Sequence, residues 1–358
     1  MVNKKDNNDF MPAVAIPPGE TVKENMEFLG MNQIELAARL DITPKHLSNI
    51  INGNAPITYD TALKLESVIG PSAQFWMNLE TNYQLNKARL EKQEKLDLDL
   101  EILKEIPYKE MSEFSWVKET NDRKERVLNC RAFFGVAELS SIKRSYAVAF
   151  RTHKKMREIS DFGVLAWLRK AEIEGLNIKM EKFNKRKLKS LIPVFRGLTL
   201  KEPDDFYPEM ERLCAECGVA LVLVPYLSKT YICGATIWRH NKAILALSVR
   251  GKRADVFWFT FLHELAHLIN HSSKEFHISF DNESEDEADD LASNYLISEE
   301  QYRNFIERYD YKDKTQIVNY SHKIGIAPCI LLGRLQYDKL IGYQYYNDLK
   351  PSFKIVSC

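Results

Sequence analysis

The chain has 358 residues, with Lys+Arg and Asp+Glu balanced at 50 each, a hydrophobic fraction of 45% and a charged fraction of 28%. That is room for two or three domains of ordinary soluble composition, and the charge balance excludes an overall basic field, so any DNA binding must come from a local surface. The polar start MVNKKDNNDF has no signal core and no apolar run is long enough to span a bilayer, so a cytoplasmic protein with no membrane partner is expected.

Residues 1–16 read as a disordered lead. Short helices follow. Thr21–Leu29 is amphipathic and ends at Gly30, and Asn32 caps a helix over Gln33–Leu40 whose Ile34, Leu36, Ala37 and Leu40 are expected to face inward. After the turn at Asp41-Ile42-Thr43, Pro44 opens a third helix running to about Ile51. Thr58–Ile69 and Ser72–Lys87 are two more. QIELAARL, a short turn and PKHLSNII form the helix-turn-helix pattern, whose second helix lies in the major groove. The candidate DNA contacts are Lys45, His46, Ser48, Asn49 and Asn52, with Thr43 in the turn and Gln33 placed to hold a phosphate. A plain helical bundle with a polar face is the alternative. Residues 17–85, including FWMNLE at Phe75–Glu80, resemble the HigA-type antitoxin module. The resemblance implies a homodimer that binds operator DNA and represses its own promoter, with a toxin as a possible protein partner.

From Asn86 to about Lys201 the chain is charged and mostly helical, with Pro107 as a break. Helical spacing recurs over Arg123–Phe134, Val164–Ile173 and Arg186–Leu191, and Trp167 and Leu168 read as core. The basic cluster around Lys182–Lys189 reads as a solvated face. A helix over Phe206–Glu216 precedes a buried strand, Val219–Val224, and a strand pair over Tyr231–Trp238 and Lys242–Val249.

The chemistry is concentrated in Phe257–Asn270, FWFTFLHELAHLIN. His263 and His267 are four apart and share one helical face, and Glu264 completes the H-E-x-x-H spacing that binds Zn²⁺ and supplies a general base. Polar residues in so apolar a helix are costly to bury without partners. Two core histidines satisfied by carbonyls are the alternative. In the acidic stretch DNESEDEADD, a helix from about Glu283 places Glu285 on the apolar side formed by Ala288, Leu291, Ala292 and Tyr295. Glu285 is therefore the expected third ligand, Glu287 the alternative, and Asp289 is placed to orient an imidazole from behind. Tyr231, His240 and Arg250 are candidates for stabilising an oxyanion. HELAH followed by E-x-E-A-D-x-L-A resembles the ImmA/IrrE metallopeptidases, with Leu291 where phenylalanine is usual. That resemblance implies a minimal zincin fold, His263, His267 and Glu285 as ligands, and Glu264 as base.

Helices over Ser298–Tyr309 and Ile317–Lys323 and a last one from Pro328 complete the chain. Six scattered cysteines, with a lone C-x-x-C at Cys214 and Cys217, read as free thiols. The expected fold is mainly α with a small α+β domain. Its parts are a helix-turn-helix bundle over 17–95, a helical connecting region over 96–200, a zincin-like domain over 201–345 and a tail over 346–358. The functional expectation is a DNA-binding regulator with a zinc endopeptidase that cleaves a specific protein substrate. A silent sensor or toxin-binding module on the same fold is the rival.

Overall fold

The computed structural model describes residues 14–145, 159–239, 242–248, 253–270, 277–280 and 286–353. The chain divides into two compact units, Met1–Asp99 and Leu100–Cys358.

The first unit holds helices α1 (Gly19–Phe28), α2 (Gln33–Arg39), α3 (Pro44–Ile51), α4 (Tyr59–Ile69) and the start of α5 (Ala73–Ile102). Three of the first four begin at side-chain caps. The Asn32, Thr43 and Thr58 oxygens accept from the backbone N–H of Glu35, His46 and Thr61 at 2.9, 3.1 and 3.2 Å. Leu36 and Ala37 of α2 and Leu40 at its C-terminal cap close on Leu47, Ile50 and Ile51 of α3, with Trp76 of α5 fully buried in the same core. Each large side chain so buried contributes about 1.5–3 kcal/mol. Gly19 has a steric role: a Cβ there would lie 2.3 Å from the carbonyl oxygens of Ile50 and Ile51.

Two expectations are corrected here. Ile34 does not face inward but is 71% exposed, because the buried stripe of α2 begins at Leu36, about 200° further round the helix. The helix read as Ser72–Lys87 does not stop there but runs on into the segment expected to connect the domains as one 30-residue helix, with no glycine or proline between Ala73 and Ile102 to break it. The FWMNLE stretch has a local explanation. Trp76 and Glu80 are one turn apart; the Trp76 indole N–H donates to the Pro71 carbonyl at 3.0 Å, and Glu80 accepts from the Ile57 N–H at 3.0 Å.

The second unit is built on a four-stranded sheet of β1 (Val219–Val224), β2 (Ile232–Arg239), β3 (Lys242–Ser248) and β4 (His277–Phe280), in the order β1-β3-β2-β4. β1 runs parallel to β3, while β2 is antiparallel to both of its neighbours. Strand β3 is covered on both faces. Its Ala243, Leu245 and Leu247 join the core with Phe257, Trp258 and Phe261 of the helix Ala254–Asn270. Ile244 points the other way, where a Cβ on Gly175 of the helix Asp161–Asn177 would come within 2.6 Å of it. That helix, in the segment expected to connect the domains, packs on β1, β2 and β3 and belongs to this unit. Residues 346–353, expected as a tail, also pack back. Phe353 meets Phe206 and Phe257, and the Pro351 carbonyl accepts from the Ala254 N–H at 2.9 Å. Strand β4 was not anticipated from the sequence. The fold is mainly α with a small mixed α+β region, and no described helix is long and apolar enough to cross a membrane.

Candidate functional site

The helix Ala254–Asn270 carries His263, Glu264 and His267, which are 5%, 0% and 3% exposed, so its polar groups depend on protein partners. The Nε2 atoms of His263 and His267 lie 3.0 Å apart. Asp289 Oδ1, from the helix Asp286–Leu296, lies 2.8 Å from His263 Nδ1. An ionised carboxylate only accepts, so this contact places the proton on Nδ1 and leaves Nε2 as a lone pair directed at His267.

Glu264 occupies a cradle supplied by the sheet. Thr236 Oγ1 donates to Oε2 at 2.8 Å and Ser279 Oγ donates to Oε1 at 2.6 Å. Register explains why these residues meet. Gly234 is paired with Ser279 and Thr236 with His277 across β2 and β4, so the period of two brings all four to the face under the histidine helix. Gly234 supplies the space, since a Cβ there would sit 2.7 Å from Glu264 Oε1. Burial pushes the Glu264 carboxyl above the ordinary carboxylate range, opposed by His267, His263 and the two hydroxyls. The His277 ring stacks on His267, with centroids 4.5 Å apart and planes 13° from parallel.

A zinc ion fits the part of the donor set that is described. Two nitrogen ligands on a tetrahedral zinc stand about 3.3 Å apart at Zn–N of ~2.0–2.1 Å, a few tenths of an ångström wider than the pair here. The orienting carboxylate behind His263 is the arrangement that fixes a metal-binding imidazole. Among the described residues no third histidine, cysteine or acid completes a ligand set. Glu285 lies outside the described residues, as do His240 and Arg250; Glu287 is exposed, and Tyr231 does not line the cleft beside His263. Gly234, Thr236, His277 and Ser279 escaped the sequence reading. Small polar residues on short strands form no spacing motif, and only strand register brings them together.

In the first unit, Gln33, Thr43, Lys45 and Asn52 are exposed, while His46, Ser48 and Asn49 are half-buried. Two of these side chains have local duties. Thr43 caps α3, and the Asn52 amide donates to the Ser48 carbonyl at 2.8 Å. Cys214 and Cys217 are buried and reduced, and burial raises both thiols, as suits inert core residues.

One chain thus joins a helix-turn-helix unit to a unit whose buried histidine–glutamate helix lies on a small sheet. Comparison with known proteins matches residues 22–75 to the helix-turn-helix family and residues 220–326 to the IrrE N-terminal-like domain of the M78 peptidases. Virulence-associated protein I of Dichelobacter nodosus is 38% identical over 80 residues, 22% of this chain and 74% of that protein. An uncharacterised HTH-type transcriptional regulator, YddM, of Escherichia coli K12 is 35% identical over 71 residues, 20% of this chain and 76% of the regulator. A solved addiction-module antidote protein of the HigA family from Coxiella burnetii is 36% identical, covering 23% of this chain and 91% of that one, with a TM-score of 0.22. The chain belongs with the helix-turn-helix regulators through its first unit and carries an IrrE-like M78 peptidase domain in its second.

Proposed function

We propose that the protein is a DNA-binding regulator whose second unit is a zinc-dependent endopeptidase acting on a specific protein partner. The observation that carries this reading is the convergence of the His263 and His267 Nε2 atoms at 3.0 Å, beside a fully buried Glu264. His263, His267 and Glu285 would hold the ion. Bound there, zinc supplies Lewis acidity to the scissile carbonyl and the attacking water. Glu264 takes the proton from that water and passes it to the leaving amine, a task suited to a carboxyl whose pKa is raised by burial. Thr236 and Ser279 fix the carboxylate in place, and Asp289 keeps the His263 proton on Nδ1. In the first unit, Lys45 and Gln33 contact phosphate, Asn49 and His46 face base edges, and two copies bind as a homodimer on operator DNA.

The test uses the full chain in its source cells. A Glu264→Gln variant should keep its zinc and retain an intact partner in pull-downs, where the wild type yields a shortened one. An unchanged proteome in the presence or absence of Glu264 would remove the peptidase reading and leave a sensor or toxin-binding module.

A further inference from the structure

A cleft of about 640 Å³ opens beside His263. One wall is the helical stripe of Val256, Phe259, Thr260 and His263, continued by Arg253 immediately before the helix. Ten residues at helical rise put Arg253 about 15 Å from His263, roughly the span of four to five residues of extended chain. Val256, Tyr337 and Tyr343 are large hydrophobic side chains left 40%, 72% and 56% exposed, and all three line this cleft. Exposed apolar and aromatic groups gathered on one concavity mark an interaction surface.

The two ends of the cleft differ in charge. Asp289 and Asp290 lie with His263 on its lining. At the other end Asp255 is committed to Lys350 at 2.5 Å. Arg253 donates to the Asn347 side-chain oxygen at 2.8 Å and meets no carboxylate among the described residues. The carboxylates nearest Arg334, on Glu299 and Asp338, stand at 3.6 and 3.8 Å, beyond hydrogen-bond length.

We propose that this cleft holds an extended segment of the protein substrate, with apolar side chains against Val256 and Phe259 and an acidic residue at Arg253. That residue lies about four to five positions from the scissile bond. The proposal rests on the peptidase reading above and adds the substrate's chemistry to it.

The test is binding to the zinc-loaded, full-length Glu264→Gln protein. The probes are fluorescein-labelled peptides in which Asp, Lys or Ala is stepped outward in both directions from a central Leu-Leu pair, read by fluorescence anisotropy. Asp should be favoured over Lys by about tenfold at one position four or five residues from the centre, the size of a charge-assisted hydrogen bond. Arg253→Glu should invert that preference and Arg253→Gln abolish it. Equal binding of Asp and Lys peptides, no binding of any peptide, or a preference that survives Arg253→Glu would each overturn the proposal. The first two outcomes need no Arg253 variant, so a folding defect in that variant cannot hide them. The peptidase reading is judged separately, by the Glu264-dependent fate of the partner in cells, and can stand when the cleft proposal falls.

Discussion

Asp289 and His263 stand on different helices, 26 residues apart in the chain, and their side chains meet at 2.8 Å. The contact selects one imidazole tautomer and aims its lone pair at His267. The carboxylate acts on the site through the ring rather than by touching what the ring binds.

Asp289→Ala should therefore weaken zinc binding by about 10–100-fold without abolishing it, the usual cost of losing an orienting partner. Competition against a chromophoric chelator measures this. An unaltered affinity would show that His263 is held by its packing alone.

The ligand set makes a second prediction. Glu285→Ala should lose far more zinc than Glu287→Ala, because in the sequence Glu285 is spaced in helical period with the apolar Ala288 and Ala292, whereas Glu287 is exposed. Elemental analysis of the purified variants decides it, and the reverse order would move the third ligand to Glu287.

Gly234→Ala tests the cradle. The added methyl would approach Glu264 Oε1 to 2.7 Å, so either the carboxylate or strand β2 must move. The expected loss of stability is about 1–3 kcal/mol by denaturant unfolding, together with loss of partner cleavage. Wild-type stability in this variant would mean that the strand yields freely.

Glu264 also links stability to pH. Its folded pKa is raised above the ordinary 4.5, chiefly by burial. A raised pKa means that the protonated form is favoured in the folded state. In protein stripped of metal, the contribution of this group to stability is thus full below 4.5 and is lost as pH rises through the folded pKa. Relative to Glu264→Gln, the chelated wild type should lose Tm as pH climbs from 4.5 toward neutrality, as read by calorimetry. Parallel Tm curves for the two proteins would contradict this.

For the first unit, a fragment spanning residues 14–102 keeps α5 whole and should bind its own promoter DNA without zinc. Lys45→Ala should weaken binding evenly across sequences, while Asn49→Ala should relax base preference by about 1–3 kcal/mol. Mobility-shift titrations on matched and mismatched sites separate these outcomes. A folded fragment that binds no promoter DNA would end the operator reading.

What the sequence determined by itself is what lies within one turn or one cap. The four-residue spacing of His263 and His267, the cap at Asn32, and the apolar periodicity of Leu36 and Leu40 depend on neighbours a few residues away, so they are legible in one dimension. Ile34 was misplaced because alternative stripes on a two-turn helix differ by a single residue. The Glu264 cradle belongs to the tertiary structure alone. Thr236 precedes Glu264 by 28 residues and Ser279 follows it by 15, and neither stands in a periodic pattern with it. Their meeting depends on the pairing of Gly234 with Ser279 across β2 and β4. A shift of one residue in that pairing would turn Ser279 to the opposite face of the sheet. The same holds for the cleft between Arg253 and His263: its helical stripe is written in the sequence, but its far wall comes from the last helix and the residues after it. Only the packing of the apolar core brings that wall opposite the stripe.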